Sequence, residues 1–452
     1  MFGIFDKIKS MKNSIIILIL TLLSAAQCSA QVITTIAGTG IDSTYGDGGP
    51  AIAAGIGQDE GVAVDLAGNV YISDGAFNRI RKINTSGVIS TLAGNGTPGF
   101  SGDGGPATSA EIDEPAAIKV DDSGNVYFVD QGNVRIREVN THGTIFTFAG
   151  AGFVGYYGDG GPATEAAFSG SLDIAFDRSG NLYIADEDNN RVRKVSGGII
   201  TTFAGIGGRG ADSGDGGSAT AAELGGPIAV TVDSVGNVYI SEGIRIREVT
   251  TDGSIHTIAG TGGLGYSGDG GPATAATFNG IAGLAVNKLG YLYLSDQFNN
   301  VIRNISPSGI VNTIAGDGLN GFSGDGGPAI LAELDEPWGI AVNSESNIFI
   351  ADMNNHVIRE LSAPTSIETL NASPGEINIF PNPVMGADLL QLNTVLSPAA
   401  YQLRTMVGTV VFQGTLATGN NSLSLSGLPP APYIMEITGS DGLRTTTKII
   451  KQ

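Results

Sequence analysis

The most conspicuous chemistry-bearing phrase in this 452-residue chain is Gly46-Asp47-Gly48-Gly49-Pro50-Ala51, which returns nearly unchanged from Gly102, Gly158, Gly214, Gly268 and Gly324. A glycine-rich loop can cradle an anion through its backbone N–H groups, and its carboxylate could add an oxygen to a cation site. Six copies of one loop more simply answer one folding problem six times. Glycines permit positive φ, the aspartate bonds local N–H groups, and proline opens a short helix such as 106–111. The oxygen-ligand spacing of an EF-hand loop is not present.

A second series, Asp74, Asp130, Asp186, Asp296 and Asp352, precedes Asn-containing turns and is followed by Arg79, Arg135, Arg191 or His356. Five equivalent turns do not make five catalytic centres; Asx capping and surface ion pairs account for them. The three histidines, His142, His256 and His356, fall at different places in the repeated unit and cannot converge on one ion. No serine-histidine-acid arrangement is suggested.

These residues are positioned by a repeat. The phrase aspartates Asp47, Asp103, Asp159, Asp215, Asp269 and Asp325 are spaced 56, 56, 56, 54 and 56 residues apart, and the short step reflects two residues missing near Ser241-Glu242-Gly243. Periodicity of this length means a repeat architecture. Each unit holds four β-like runs, seen in the third as 174–176, 182–185, 191–195 and 199–204, with polar turns between them. Four strands per unit is the pattern of a propeller blade. The sixth unit ends at Leu361 without a fourth strand, while Val32-Ile33-Thr34-Thr35-Ile36-Ala37-Gly38 matches the fourth strands of the others. The opening strand is therefore expected to complete the last blade, pairing two edges that would otherwise invite aggregation.

Units such as Gly61-Val62-Ala63-Val64-Asp65, then Gly68-Asn69-Val70-Tyr71-Ile72-Ser73-Asp74 and Asn78-Arg79-Ile80, resemble NHL repeats. The resemblance spans 31–361 and implies a six-bladed β-propeller. Unit four departs by its deletion, and unit five has Asn287 and Tyr291 where others have aspartate and asparagine.

Differences between blades are the place to look for a ligand. Just before the innermost strands stand Asp59-Glu60, Asp113-Glu114 and Asp335-Glu336 in blades one, two and six, whereas blades three, four and five have Ser169-Gly170, Gly225-Gly226 and Asn279-Gly280. An acidic arc on one side of the channel rim, beside the sole tryptophan Trp338, is a candidate for a cationic group or Ca²⁺, since clustered carboxylates focus a negative field. Strand-entry capping is the simpler account of the same residues. Some rings of similar appearance are metal-dependent lactonases or lyases acting at the central channel, the rival to a binding role.

After a linker at 362–376, rich in Pro, Ser, Thr and Ala, the period vanishes. Residues 377–452 show alternating runs at 401–403, 410–412, 423–425 and 433–437 that fit a small immunoglobulin-like β-sandwich. Phe380-Pro381-Asn382-Pro383, Gly408, Leu428-Pro429 before Tyr433, and Lys448-Ile449-Ile450-Lys451-Gln452 resemble the type A sorting domain of the type IX secretion system. Pro432 stands where that family has glycine. The resemblance implies recognition by the secretion machinery and delivery to the outer surface of a Gram-negative bacterium or to the medium.

The head of the chain agrees with export. Lys7, Lys9 and Lys12 precede the apolar run 15–23, and Cys28-Ser29-Ala30 suggests cleavage of a signal peptide, 1–30, after Ala30. Gln27 departs from a lipoprotein signal, and loss of Cys28, the only cysteine, would leave no thiol for disulfides, metal sites or nucleophilic catalysis. No later segment offers the roughly 20 apolar residues of a membrane helix. The net charge of −21 makes nucleic acid an improbable partner. That charge is concentrated in 31–361, with 38 acidic residues against 16 basic. The expectation is a monomeric, all-β, non-enzymatic propeller that binds an extracellular protein or glycan.

Overall fold

Runs of four to six residues rich in Val, Ile and Tyr, closed by Gly- and Asn-bearing turns, make small antiparallel sheets with two apolar faces, and such sheets bury both faces only by stacking on one another. The computed structural model describes residues 31–170, 172–208 and 213–362, and in the tail 377–380, 389–394, 399–405, 410–416, 419–425, 431–438 and 444–451. The expected signal peptide and linker lie outside these residues apart from Ser362, as do Pro381-Asn382-Pro383, Gly408 and Leu428-Pro429.

Six antiparallel sheets form the repeat region. In blade one the strands are Asp59–Val64, Val70–Asp74, Arg79–Ile83 and Ile89–Ala93, and in blade two Pro115–Val120, Val126–Asp130, Arg135–Val139 and Ile145–Ala149. Strands pair in sequence order, and each first strand lies beside the first strands of both neighbouring blades, the sixth beside the first. The first strands therefore line the axis. The second strand is buried along its length, as in Val70–Asp74 and Val126–Asp130, in every blade but the fourth, where Tyr239 is partly exposed.

The apolar core lies between blades. One cluster joins Tyr127, Val129 and Ile136 of blade two to Ile174, Ile184 and Ile200 of blade three, and equivalent clusters fill other intervals. Closure is as expected from the repeat count. Val32–Ala37 pairs antiparallel with Val357–Ser362, with Ile33 opposite Leu361 and Thr35 opposite Arg359. Ile33 enters the core shared with blade five, and Ala37 the core shared with blade one. The first and last residues of the ring thus occupy one sheet.

Residues from 365 onward form a separate unit. Its strands make a three-stranded sheet, Ile377–Phe380, Leu389–Thr394 and Gly419–Ser424, and a four-stranded sheet containing Ala399–Thr405, Val410–Leu416, Ala431–Thr438 and Arg444–Lys451. Leu403, Tyr433, Met435 and Ile437 of the second sheet pack with Leu423 and Leu425, giving a small two-sheet core.

Strand direction sorts the connections onto two faces. In antiparallel sheets of four strands, the first-to-second and third-to-fourth turns fall on one face, and the second-to-third turns and blade-to-blade loops on the other. We call these the turn face and the loop face.

On the loop face, each second-to-third connection except that of blade four contains a 3₁₀ turn ending in a left-handed residue: Asn78, Val134, Asn190, Asn300 or His356. Asn78, Asn190 and Asn300 use the side-chain oxygen to accept the amide N–H of Glu114, Gly226 and Glu336 in the next blade. Val134 holds φ +52 and has no such oxygen. A β-branched residue there is strained. Val134→Asn is expected to stabilise the fold by about 1 kcal/mol, by relieving this strain and offering an acceptor to the Gly170 amide, net of lost apolar contact. A higher midpoint in denaturant titration checks it.

Candidate functional site

The Gly-Asp-Gly-Gly-Pro-Ala loops follow the outer strand of one blade and cross to the next. Gly46 at φ +94 lies so close to Ala54 that a Cβ would stand 2.8 Å from its Cα, which fixes glycine at the turn. Asp47 does not bond local N–H groups, contrary to the sequence reading. Its Oδ1 accepts from the Arg81 guanidinium at 2.7 Å, and its Oδ2 accepts from the Thr91 hydroxyl at 2.6 Å and the Thr91 amide at 3.1 Å. Those partners lie on the third and outer strands of blade one, so the loop aspartate bridges two blades.

The arginine is wholly buried and has a second acid. Arg137 meets Asp103 at 2.7 Å and Asp130 at 3.0 Å; Arg193 meets Asp159 at 2.6 Å and Asp186 at 3.4 Å. Arg81, Arg303 and Arg359 repeat the arrangement with Asp74, Asp296 and Asp352. The aspartates expected at surface turns are thus buried residues paired inward, with Arg81, Arg137, Arg193, Arg303 and Arg359 at the third position of the third strands rather than with Arg79, Arg135 or Arg191. Their other oxygen accepts the amide of the residue 17 positions earlier, as with Asp113 to Asp130 at 2.7 Å and Asp335 to Asp352 at 2.8 Å. The missed signal was visible: one arginine stands at the same place in all six third strands, flanked on both sides by residues of changing type.

Burial pushes Asp74 up to about 6 against the lowering pull of Arg81, and pushes Asp352 to about 6 against its hydrogen bonds and Arg359. Asp130, Asp186 and Asp296 are raised from the same cause. Burial also lifts the loop aspartate Asp47, but hydrogen bonding by Thr91 and the charge of Arg81 outweigh it and hold the group below the usual range.

The register corrects the acidic arc. Asp113-Glu114 and Asp335-Glu336 precede strands in which Pro115 and Pro337 lie opposite Asp130 and Asp352. In blade one it is Asp59 that lies opposite Asp74, and Gly57 that donates its amide to Asp74. Blade one's equivalent pair is therefore Gly57-Gln58, while Asp59 and Glu60 sit two positions further along, already inside the strand; their side chains lie outside the described residues. Glu114 and Glu336 hold left-handed backbone, φ +48 and +49, and the Glu336 carboxylate accepts from Gln297 at 3.1 Å. Among the described residues, no three Asp, Glu, His or Cys side chains gather as a metal site.

The axial cavity, about 40 Å³, is lined by first strands, including Gly61, Ala116, Gly283, Gly339 and Trp338. That is room for a few waters. Its charges are Lys119 and Asp173, 3.8 Å apart, with Asp173 also accepting the Val230 amide at 2.9 Å. Neither residue was singled out in the sequence. His142 lies in a third-to-fourth turn and His256 in an outer strand. His356 bonds the Gly57 carbonyl through Nδ1 at 3.1 Å, across the seam between blades six and one.

The loop face carries exposed aromatic rings. Phe100, Tyr156, Tyr266 and Phe322, 41%, 44%, 43% and 50% exposed, occupy equivalent positions before the glycine-aspartate phrase. The Arg135 guanidinium lies 3.8 Å from the Phe100 ring centre and Arg191 lies 3.8 Å from that of Tyr156, with Arg303 and Arg359 near Tyr266 and Phe322 at 5.2 and 4.9 Å.

Comparison with known proteins agrees with this geometry. The Teneurin NHL domain matches residues 10–97, 95–156 and 206–267, and a secretion system C-terminal sorting domain matches 378–452. The chain is an NHL-repeat propeller with a sorting tail. It is 26% identical to Teneurin-1 of Gallus gallus over 313 residues, 60% of this chain and 11% of that relative, and 28% identical to Teneurin-4 of Mus musculus over 45% of this chain and 8% of that one. The NHL propeller thus corresponds to about a tenth of those relatives' length. Solved structures with the same fold include a structural-genomics protein of unknown function from Bacteroides thetaiotaomicron, at TM-score 0.56 and 20% identity over 74% of this chain and 76% of that one. An auxiliary nutrient binding protein from the same organism gives 0.54 and 16% over the same shares. The sorting domain marks the NHL propeller for type IX export to the cell surface or extracellular space. Among the described residues, no helix is long and apolar enough to cross a membrane.

Two stability predictions follow from the buried ion pairs. Arg137→Ala is expected to cost about 3–5 kcal/mol, because Asp130 is left buried without its partner. Asp103→Asn, which retains a hydrogen-bonding side chain at a partly exposed site, should cost about 1–2 kcal/mol. Denaturant titration orders the two variants. The raised acids set a pH slope: between about 4 and 6 the native state holds protons on Asp74 and Asp352 that the unfolded state has released, so stability falls as pH rises through that window. The lowered Asp47 and Asp159 act in the opposite sense, losing their contribution only below the ordinary aspartate range near 3.8. The melting temperature should therefore be higher at pH 5 than at pH 7.5, and Asp74→Asn with Asp352→Asn should flatten the difference; a rising profile contradicts the assignment.

Proposed function

We propose that the exported propeller is a non-catalytic binding or scaffold module that holds an extracellular protein or glycan on its loop face. The observation that carries this reading is the row of half-exposed aromatic rings, Phe100, Tyr156, Tyr266 and Phe322, each set over arginine on a loop anchored by a buried ion pair. Exposed aromatic rings mark interaction surfaces, and aromatic and arginine side chains are the residues that dominate binding energies. Val154, Tyr157, Leu264 and Leu319 on the same loops extend the apolar area.

The alternative, a metal-dependent lactonase or lyase at the channel, draws less support from the lining. Its two charged groups, Lys119 and Asp173, are paired with each other, and the space between the first strands is of water size. The acidic rim residues Asp113, Glu114, Asp335 and Glu336 remain candidates for a cationic group of the partner, Ca²⁺ included.

Probing arrays of extracellular proteins and glycans with the full chain should return a ligand whose binding weakens about tenfold or more in Phe100→Ala combined with Tyr156→Ala. A ligand indifferent to those changes, or turnover of lactone substrates by the wild-type chain, counts against this reading.

A further inference from the structure

The turn face holds a groove of about 410 Å³ across blades two and three, reaching Thr231 and Val232 of blade four. Its size falls within the roughly 300–1,000 Å³ of small-molecule sites. The Tyr127 ring lies 5.1 Å from Phe148 and 4.7 Å from Phe176, edge to face with both, so three rings form one apolar wall. This wall is peculiar to one interval. Where blade two has Phe148, the other outer strands have Leu92, Phe203, Ile258, Ile314 and Ile36; where blade three has Phe176, the other first strands have Val64, Val120, Val232, Val286 and Val342. In the adjacent blades Lys82 and Lys194 lie over Tyr71 and Tyr183 at 5.1 and 4.8 Å, whereas Glu138 faces Tyr127, as Glu248 and Glu360 face Tyr239 and Phe349 in blades four and six.

The rim is polar and of mixed sign. Asp122 and Arg178 stand exposed at adjacent turn tips, and Lys119 reaches the same groove from the channel wall. An apolar wall with donors and acceptors around its edge suits a ligand that has one apolar face and hydroxyls on its periphery. A pyranose ring is such a ligand. Asp121, Asp122 and Asp177 against Lys119 and Arg178 leave the groove slightly acidic, and with the −21 charge of the chain this disfavours an anionic ligand.

We propose that this groove binds a neutral saccharide, with a sugar face against Phe148 and Phe176, which the buried Tyr127 backs, and its hydroxyls on Asp122, Arg178 and Lys119. The site is on the opposite face from the aromatic row assigned above and stands independently of it.

Titration calorimetry of the full chain with neutral oligosaccharides of glucose, mannose and xylose tests the groove, with polygalacturonate and an aromatic-rich peptide as competitors. One neutral series should bind, and Phe148→Leu, which installs the residue blade one has there, and Arg178→Ala, at an exposed turn tip, should each weaken it about tenfold. Phe100→Ala, on the loop face, should leave it unchanged. Failure of every neutral saccharide to bind, preference for the uronate or the peptide, or binding that ignores both groove variants overturns the proposal. Loss on Phe100→Ala instead would place the saccharide on the loop face, sinking the groove while sparing the loop-face reading.

Discussion

Everything in the ring hangs on a guanidinium taken out of water six times. Burying one such charge costs several kcal/mol unless its donors are satisfied. Here each arginine finds one acid on its own blade and another on the loop arriving from the blade before, as with Arg137 between Asp130 and Asp103. In blades one to four the loop acid also bonds a threonine of the outer strand, such as Thr147 with Asp103 at 2.7 Å. One side chain therefore gathers three strands and a loop. Apolar packing between blades is tolerant of small shifts, whereas a charge-assisted pair at 2.6–2.9 Å is not. The apolar clusters supply the driving force for stacking, and the ion pairs select one seat for each loop.

Blade four shows how strict the constraint is. Its second-to-third connection is two residues shorter and lacks the 3₁₀ turn, which moves the acid-bearing residue relative to the arginine. Glutamate replaces aspartate there, and the longer side chain brings a carboxylate oxygen to 3.6 Å from Arg247 and 3.1 Å from the Gly225 amide. Those are the two contacts that the aspartates make elsewhere. A change of backbone length is offset by one methylene. At the ring's seam the compensation is different: His356 takes the place of asparagine and bonds the Gly57 carbonyl, adding a polar tie beside the strand pairing of Val32–Ala37 with Val357–Ser362.

The blade count, the four-strand unit and the closing strand were legible in the sequence because they depend on period and on apolar alternation, which survive substitution. The ion-pair network was not, because its partners are distant along the chain: Asp103 and Arg137 are 34 residues apart, Asp103 and Thr147 are 44 apart. Local reasoning assigned each aspartate to the nearest turn, and the nearest arginine was the wrong one. The placement of Asp59-Glu60 in the acidic arc was misread for a related reason. Asp59-Glu60 resembles Asp113-Glu114 by composition, yet counting the 56-residue step from blade to blade places Gly57-Gln58 at the equivalent position. The aromatic row was legible as residues but not as a surface, since its exposure depends on the loop being held over the arginines.

Symmetry confines where function can reside. Six equal wedges demand near-equal inner strands and equal ion pairs, so a site must be built from positions the ring does not use. The loop face meets this by repetition: the anchoring acids fix each loop, and the rings Phe100, Tyr156, Tyr266 and Phe322 rest on guanidinium groups already held in place. Such side chains lose little freedom when a partner arrives, so less of the contact energy is spent on ordering them. The turn face meets it by departure: one interval alone gathers three aromatic rings beside Lys119, while neighbouring tyrosines lie under lysine. A repeated feature suits a broad surface with many weak contacts, and a singular one suits a small ligand with one pose. The two faces are thus fitted to ligands of different size: the loop-face row stands on anchored loops, and the groove is walled by rings that also pack in the core between blades two and three.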